Sequence, residues 1–184
     1  MKTIQKGFTL IELLIVIAVL GVLAVAVLSA INPIEQINRG KDTGSRSDAE
    51  QIIGAIDRYY TTKGYYPWMI TADSAAPGYV SPNLPWQSIE VAVGAQNILA
   101  NLSTSTGEIK SSFVNRLESE GYNTLYIYNG WTTDLPTAST YICFGPKSKA
   151  FVDEANVRCG EVATLLDYPS ADACIADSEY SCLP

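Results

Sequence analysis

The sequence predicts an α+β protein. A long N-terminal helix, apolar in its first half and amphipathic in its second, packs on a small antiparallel β-sheet, and disulfides tie the C-terminal region. Three observations predict it. From Phe8 to Ile31 the 184-residue chain carries one charged side chain, Glu12. Between residues 47 and 62 apolar side chains recur at intervals of three and four, and beyond residue 122 the pattern changes to that of strands. All four cysteines, at 143, 159, 174 and 182, lie in the last 42 residues.

The apolar run would be about 36 Å long as a helix at 1.5 Å per residue, and a bilayer core is about 30 Å thick. It can span a membrane, and a carboxylate in such a span is costly unless paired. The run holds no Lys, Arg or His, so the sequence offers Glu12 no cation within the span. A cleaved secretory signal would have a shorter apolar stretch and a small-residue cleavage site, for which Ala24-Val25-Ala26 would serve. A plain single-pass anchor accounts for the length and for the basic start at Lys2 and Lys6, which orients the N-terminus toward the cytoplasm. Neither accounts for Glu12.

The stretch Gly7-Phe8-Thr9-Leu10-Ile11-Glu12-Leu13-Leu14-Ile15-Val16-Ile17-Ala18-Val19-Leu20-Gly21 resembles the N-terminal methylation segment of type IV prepilins and type II secretion pseudopilins. The resemblance implies the pilin fold and a leader of residues 1–7. It implies cleavage between Gly7 and Phe8 by a membrane-embedded prepilin peptidase, and N-methylation of the new terminus. The matching position makes Glu12 the assembly glutamate. Its expected partner is the amine that cleavage creates on Phe8 of a neighbouring copy. Neither charge is tolerable alone in a low-dielectric setting, so the pair would fix the axial offset between subunits. The resemblance also implies that the helix loses order between Gly21 and Pro33 in assembled filaments. The bland alternative is a kink at Pro33, which lacks a backbone donor and restricts Asn32 before it.

The expected organisation is a leader (1–7), a helix (8–62) with a membrane or filament-core half (8–31) and an amphipathic half (47–62), and a head outside the cytoplasm (63–184). Residues 34–46, polar and broken by Gly40 and Gly44, read as a poor helix or a flexible neck. Ser47 with Glu50 matches a capping box, Ala49, Ile52, Ile53, Ile56, Tyr59 and Tyr60 form the apolar stripe, and Gly64 stops the helix. Gly64-Tyr65-Tyr66-Pro67 resembles the start of the connecting loop in pilins and major pseudopilins. Pro67 to Pro85 reads as an irregular loop whose aromatics Trp68 and Tyr79, with Trp86 beyond, pin it to the helix or to a neighbouring subunit. Carbohydrate binding is the rival use of those rings. A short helix is expected within 87–102 and a second over 108–120, ended by Gly121. Strands are expected around 122–128, 139–144 and 149–157, with Asn129-Gly130 as a turn signal.

The cysteines lack the close pairs of a zinc site, and their even number points to disulfides and an oxidising compartment. Three pairings are open. The expected one is local, Cys143–Cys159 with Cys174–Cys182, because the segments flanking 143 and 159 would sit side by side. No cofactor is expected. Asp167, Asp172, Asp177 and Glu179 could supply oxygens to calcium, as a C-terminal loop does in major pseudopilins, but the spacing is not that of an EF-hand and a solvated acidic tail is the simpler reading.

The composition narrows the function. Losing Lys2 and Lys6 with the leader takes the net charge from −7 to −9, which disfavours general nucleic-acid binding. There is no histidine, hydrolase elbow, phosphate loop or dinucleotide fingerprint, so no enzyme is expected. The expected function is that of a prepilin. It is held first in the cytoplasmic membrane, in contact with lipid, with its N-terminus inside. It is then assembled by an assembly platform and its ATPase into a homo-oligomeric surface filament. Alternatives are a type II secretion pseudopilin, a minor pilin binding DNA or a surface ligand, and a lone membrane-anchored domain.

Overall fold

The computed structural model describes residues 7–30, 32–75, 81–134, 138–162, 167–175 and 179–184. It forms two compact units that divide after Ile37. The first holds helix α1 (Leu10–Ala30) and the start of helix α2 (Pro33–Lys63). Every side chain described between Gly7 and Ser29 is exposed. Leu10–Ser29 is long and apolar enough to cross a membrane. Gly21 sits within α1 without breaking it, whereas Asn32 and Pro33 mark a boundary. The Asn32 side-chain oxygen accepts from the Glu35 N–H (3.3 Å), so Asn32 caps α2 and Pro33 takes the first helical position, where its missing donor costs nothing.

The second unit is built on the rest of α2. The helix is continuous from Pro33, so residues 34–46 take the helical of their two expected forms, and the expected start at Ser47 is corrected. Isolated propensity is overridden by contacts far away in sequence. Asp42, fully buried, accepts from the backbone N–H groups of Lys147 and Ser148. Arg46 pairs with Glu154 at 2.6 Å. Buried Asp48 receives hydrogen bonds from Arg116 (2.5 Å) and from the Tyr122 hydroxyl. Gly64 ends the helix as expected, at a φ of 78° that favours glycine, its N–H donating to Tyr60 O at 2.8 Å.

The cover of α2 is a four-stranded antiparallel sheet in the order β1 (Leu84–Ser88), β2 (Leu125–Asn129), β3 (Thr140–Phe144), β4 (Ser181–Leu183). Alternation sorts the residues. Leu125, Ile127, Ile142 and Phe144 join Ile52, Ile56 and Tyr59 of α2 in the main core. Tyr126, Tyr128, Tyr141 and Cys143 belong to the opposite face. Asn129 does act in a turn, its side chain accepting from the Trp131 N–H (2.9 Å), although β2 and β3 are joined by a longer connection than a two-residue hairpin.

Between α2 and β1, Trp68 is buried and stacks on Tyr66 at 4.6 Å, and Tyr66 leans on Tyr60 of α2 at 4.7 Å. The loop is pinned to the helix, as expected; Tyr79 lies outside the described residues. The expected helix over 87–102 is shorter and displaced: α3 (Ile98–Ala100) runs into a π turn at Asn101–Ser105, while residues 84–88 form β1. Helix α4 (Ser111–Leu117) lies within the expected 108–120 and buries Val114 and Leu117, and Gly121 follows it at φ 83°.

Residues 149–157, expected as a strand, belong to helix α5 (Lys149–Val162). Phe151 and Ala155, four apart, share an inward face, and Phe151 meets Phe144 of the sheet. A short helix, α6 (Ser170–Ala173), leads toward β4. The C-terminal segment thus closes the sheet and covers its outer face with Tyr168, Ala173 and Tyr180.

The disulfides correct the expected pairing. They join Cys143 to Cys182 and Cys159 to Cys174. Cys143 and Cys182 are directly opposed in the β3–β4 register, with Cα atoms 4.0 Å apart. Cys159 is on α5 instead of a strand beside β3, so it cannot face Cys143; it pins α5 to the residue after α6.

Candidate processing and assembly site

The site begins before the first helical turn. Gly7 and Phe8 precede α1 without regular structure, and the Phe8 ring is 88% exposed. A peptide bond in such a segment is open to a protease, because no helical hydrogen bond has to break first. Thr9 then caps α1. Its hydroxyl accepts from the Glu12 N–H (3.3 Å) and donates to the Glu12 carboxylate (2.8 Å), which also accepts from the Thr9 backbone N–H (2.9 Å). This reciprocal pair, a Thr followed three residues later by a Glu, is a capping box.

Sequence reasoning applied that pattern to Ser47 and Glu50 and missed it at Thr9 and Glu12. The signal was present in the same four-residue pattern, one residue before α1 begins. The span offers Glu12 no cation, as expected, but Thr9 gives the carboxylate two donors. The acid also lies at the helix N-terminus, where the backbone dipole favours negative charge.

From Leu10 onward the helix displays apolar side chains in every direction: Leu13, Leu14, Ile17, Leu20 and Leu28 are all at least half exposed. A helix apolar all round needs surroundings that are apolar all round, a bilayer or a bundle of like helices. Apart from its chain neighbours and the backbone of its own helix, Gly21 has no atom within 4 Å of the place a Cβ would take. The structure therefore brings Gly7, Phe8, Thr9 and Glu12 together at one end of α1. It sets Gly21 mid-helix and Pro33 at the start of α2.

The acidic residues named for calcium are dispersed in their duties. The Asp167 carboxylate accepts from the Ser139 N–H (3.2 Å), and Asp177 lies outside the described residues. Among the described residues no three acidic, cysteine or histidine groups lie close enough to hold a metal ion.

Residues 2–28 match the model of the prokaryotic N-terminal methylation motif. The chain is 35% identical over 113 residues to the fimbrial protein EcpC of Eikenella corrodens, covering 60% of this chain and 70% of that one. It is 35% identical over 116 residues to the type IV major pilin protein PilE1 of Neisseria gonorrhoeae, covering 63% of this chain and 49% of that one. Against the type II secretion system core protein G of Klebsiella pneumoniae it is 34% identical over 102 residues, 46% of this chain and 71% of that one. No solved structure matches the chain significantly. Motif, exposed apolar helix and four-stranded head agree, and this chain belongs to the family of type IV pilins and type II secretion pseudopilins.

Proposed function

We propose that the chain is the structural subunit of a type IV pilus. It is made as a precursor anchored by α1, with its N-terminus in the cytoplasm and its head outside. A prepilin peptidase cuts between Gly7 and Phe8 and the Phe8 amine is methylated. An assembly platform with its ATPase then draws subunits from the membrane into a helical filament. The observation that carries this reading is the exposure of α1 on every side: its burial has to be supplied by lipid before assembly and by sister helices after it.

Glu12 has a role in each state. In the precursor it is held by Thr9 at the head of α1. In the filament the methylated amine of a neighbouring Phe8 faces it, and a charge pair in an apolar bundle fixes the offset between subunits. The stretch from Gly21 to Pro33 is where α1 yields on assembly. Its side chains from Gly21 to Ser29 are exposed in the single chain, and α2 starts afresh after Asn32. The head needs no catalytic centre for this role.

Glu12→Ala tests the proposal. Cleavage and membrane insertion continue, and surface filaments fall at least tenfold, as expected for an uncompensated buried amine. Filaments at the normal level would refute the assembly role. The likeness to the secretion protein G favours a second reading, a pseudopilin forming a short periplasmic fibre. Short fibres and a loss of protein secretion on deletion of the gene would select it.

A further inference from the structure

We propose that neighbouring heads in the filament bind one another through two different surfaces, a basic cleft beside α2 and an acidic ridge on α5. The inference rests on the filament reading above.

The cleft, about 320 Å³, lies between α2 and the turn after α4. Its walls carry Lys41, Arg116 and Lys147, and its floor Asp48 and Tyr122. Arg116 is spent on Asp48, but Lys41 and Lys147 are exposed and have no ion-pair partner among the described residues. The only other acid on the lining is Glu120. The cleft is therefore a net positive place on a chain of net charge −7.

The ridge is the outer face of α5. Asp153, Val157 and Glu161 are spaced by four and all exposed, Val157 at 62%. Asp153 and Glu161 have no ion-pair partner among the described residues; their neighbour Glu154 is already matched by Arg46 at 2.6 Å. The ridge thus offers an apolar centre with a free carboxylate at either end, and the cleft offers a hollow with free ammonium groups on its walls.

The placement of the two surfaces indicates the partner. Arg46 reaches α5, whereas Lys41 lines the cleft. At about 100° per residue, five positions put these side chains about 140° apart around α2. One chain so carries both halves of a complementary contact, on two different surfaces of the head. A contact between two different surfaces joins copies head to tail, which propagates a helical array. Charge complementarity of this kind fixes register and rejects wrong neighbours.

The test uses the full chain in its own cells. Lys41→Glu with Lys147→Glu, and separately Asp153→Lys with Glu161→Lys, each lower recovered filament about tenfold or more, because like charges then meet. The fourfold variant, which restores opposite charges at every contact, recovers filament to within about twofold of the unaltered chain. Processed subunit in the membrane, with both disulfides formed on non-reducing gels, stays constant throughout and separates assembly from folding. Normal filament from either pair, or a fourfold variant no better than its parents, would overturn the contact while leaving the filament reading intact. Loss from the lysine pair alone would assign the cleft to a different partner and overturn it equally. An unaltered chain that forms no filament would sink both.

Discussion

The carboxylate of Asp42 anchors the chain just before helix α5 from a distance of more than a hundred residues, accepting the Ser148 N–H at 2.7 Å and the Lys147 N–H at 3.0 Å. It joins the middle of α2 to the start of α5, and it is why a polar, glycine-containing stretch is helical. Asp42→Ala leaves the buried Ser148 donor and the half-buried Lys147 donor unmatched and removes a favourable charge from beside a helix N-terminus. The expected loss is about 2–3 kcal/mol, since hydrogen bonds to charged groups contribute about 1.5–3 kcal/mol. Denaturant unfolding of the full chain in detergent measures it, and residues 38–46 should gain the fastest amide exchange. A loss below about 0.5 kcal/mol would contradict the anchoring role.

Much of the fold was legible before the structure. The stripe of α2 from Ala49 to Tyr59, the stop at Gly64 and the strands around Ile127 and Ile142 all have local causes that a sequence displays. What was not legible depends on distant partners. The helix over 34–46 needs Ser148 and Glu154, and the pairing Cys143–Cys182 needs the β3–β4 register. Residues 149–157 contain Phe151, Val152 and Val157, which strands also favour; the anchor from Asp42 and the packing of Phe151 on Phe144 make them a helix. At the site, Gly7, Phe8 and Glu12 were legible because the motif is local. Thr9 was missed although its spacing to Glu12 is as plain.

The two disulfides differ in the chain they close. Cys143–Cys182 spans 39 residues and Cys159–Cys174 spans 15. Loop-closure entropy gives the first about 4 kcal/mol and the second about 3 kcal/mol. Replacing both partners of each bridge by Ala should therefore destabilise the head more for Cys143–Cys182, which also holds the short strand β4. A non-reducing peptide map provides the direct check. A peptide linking Cys143 to Cys159 would refute this pairing.

Buried phenols give the head an alkaline limit. Burial, reinforced by neighbouring Tyr65, pushes Tyr59 up to about 12. Tyr122 is raised by burial and then by the Asp48 carboxylate that its hydroxyl contacts. A folded state that holds its phenol protons longer than the unfolded chain keeps that stability below the unfolded value of about 10 and loses it as pH rises through the folded value. Stability should be level up to about pH 10 and fall between about 10 and 12. Tyr59→Phe removes one titrating group and should flatten that fall. An unchanged slope in this variant would contradict the assignment.

The Thr9–Glu12 box makes a prediction separate from filament yield. Thr9→Val removes both the hydroxyl that accepts from Glu12 N–H and one donor to its carboxylate. The first turn of α1 should then open more readily by about 1 kcal/mol, the usual worth of an N-cap. Amide exchange of residues 11–13 in the precursor, reconstituted in lipid discs, should rise about fivefold, while Thr9→Ser stays near the original rate. Equal exchange in all three chains would show that the box is idle in the membrane.

The central claim is that cleavage before Phe8 turns an anchored precursor into a filament subunit whose new amine meets Glu12. The most direct test is the mass and fragmentation of the N-terminal peptide of the protein recovered from cells. The predicted peptide begins at Phe8 and carries a methylated amine, its glutamate now five residues from the terminus. A mature chain that keeps Met1, or one that begins after Ala26 as a secretory cleavage would leave it, would contradict the account.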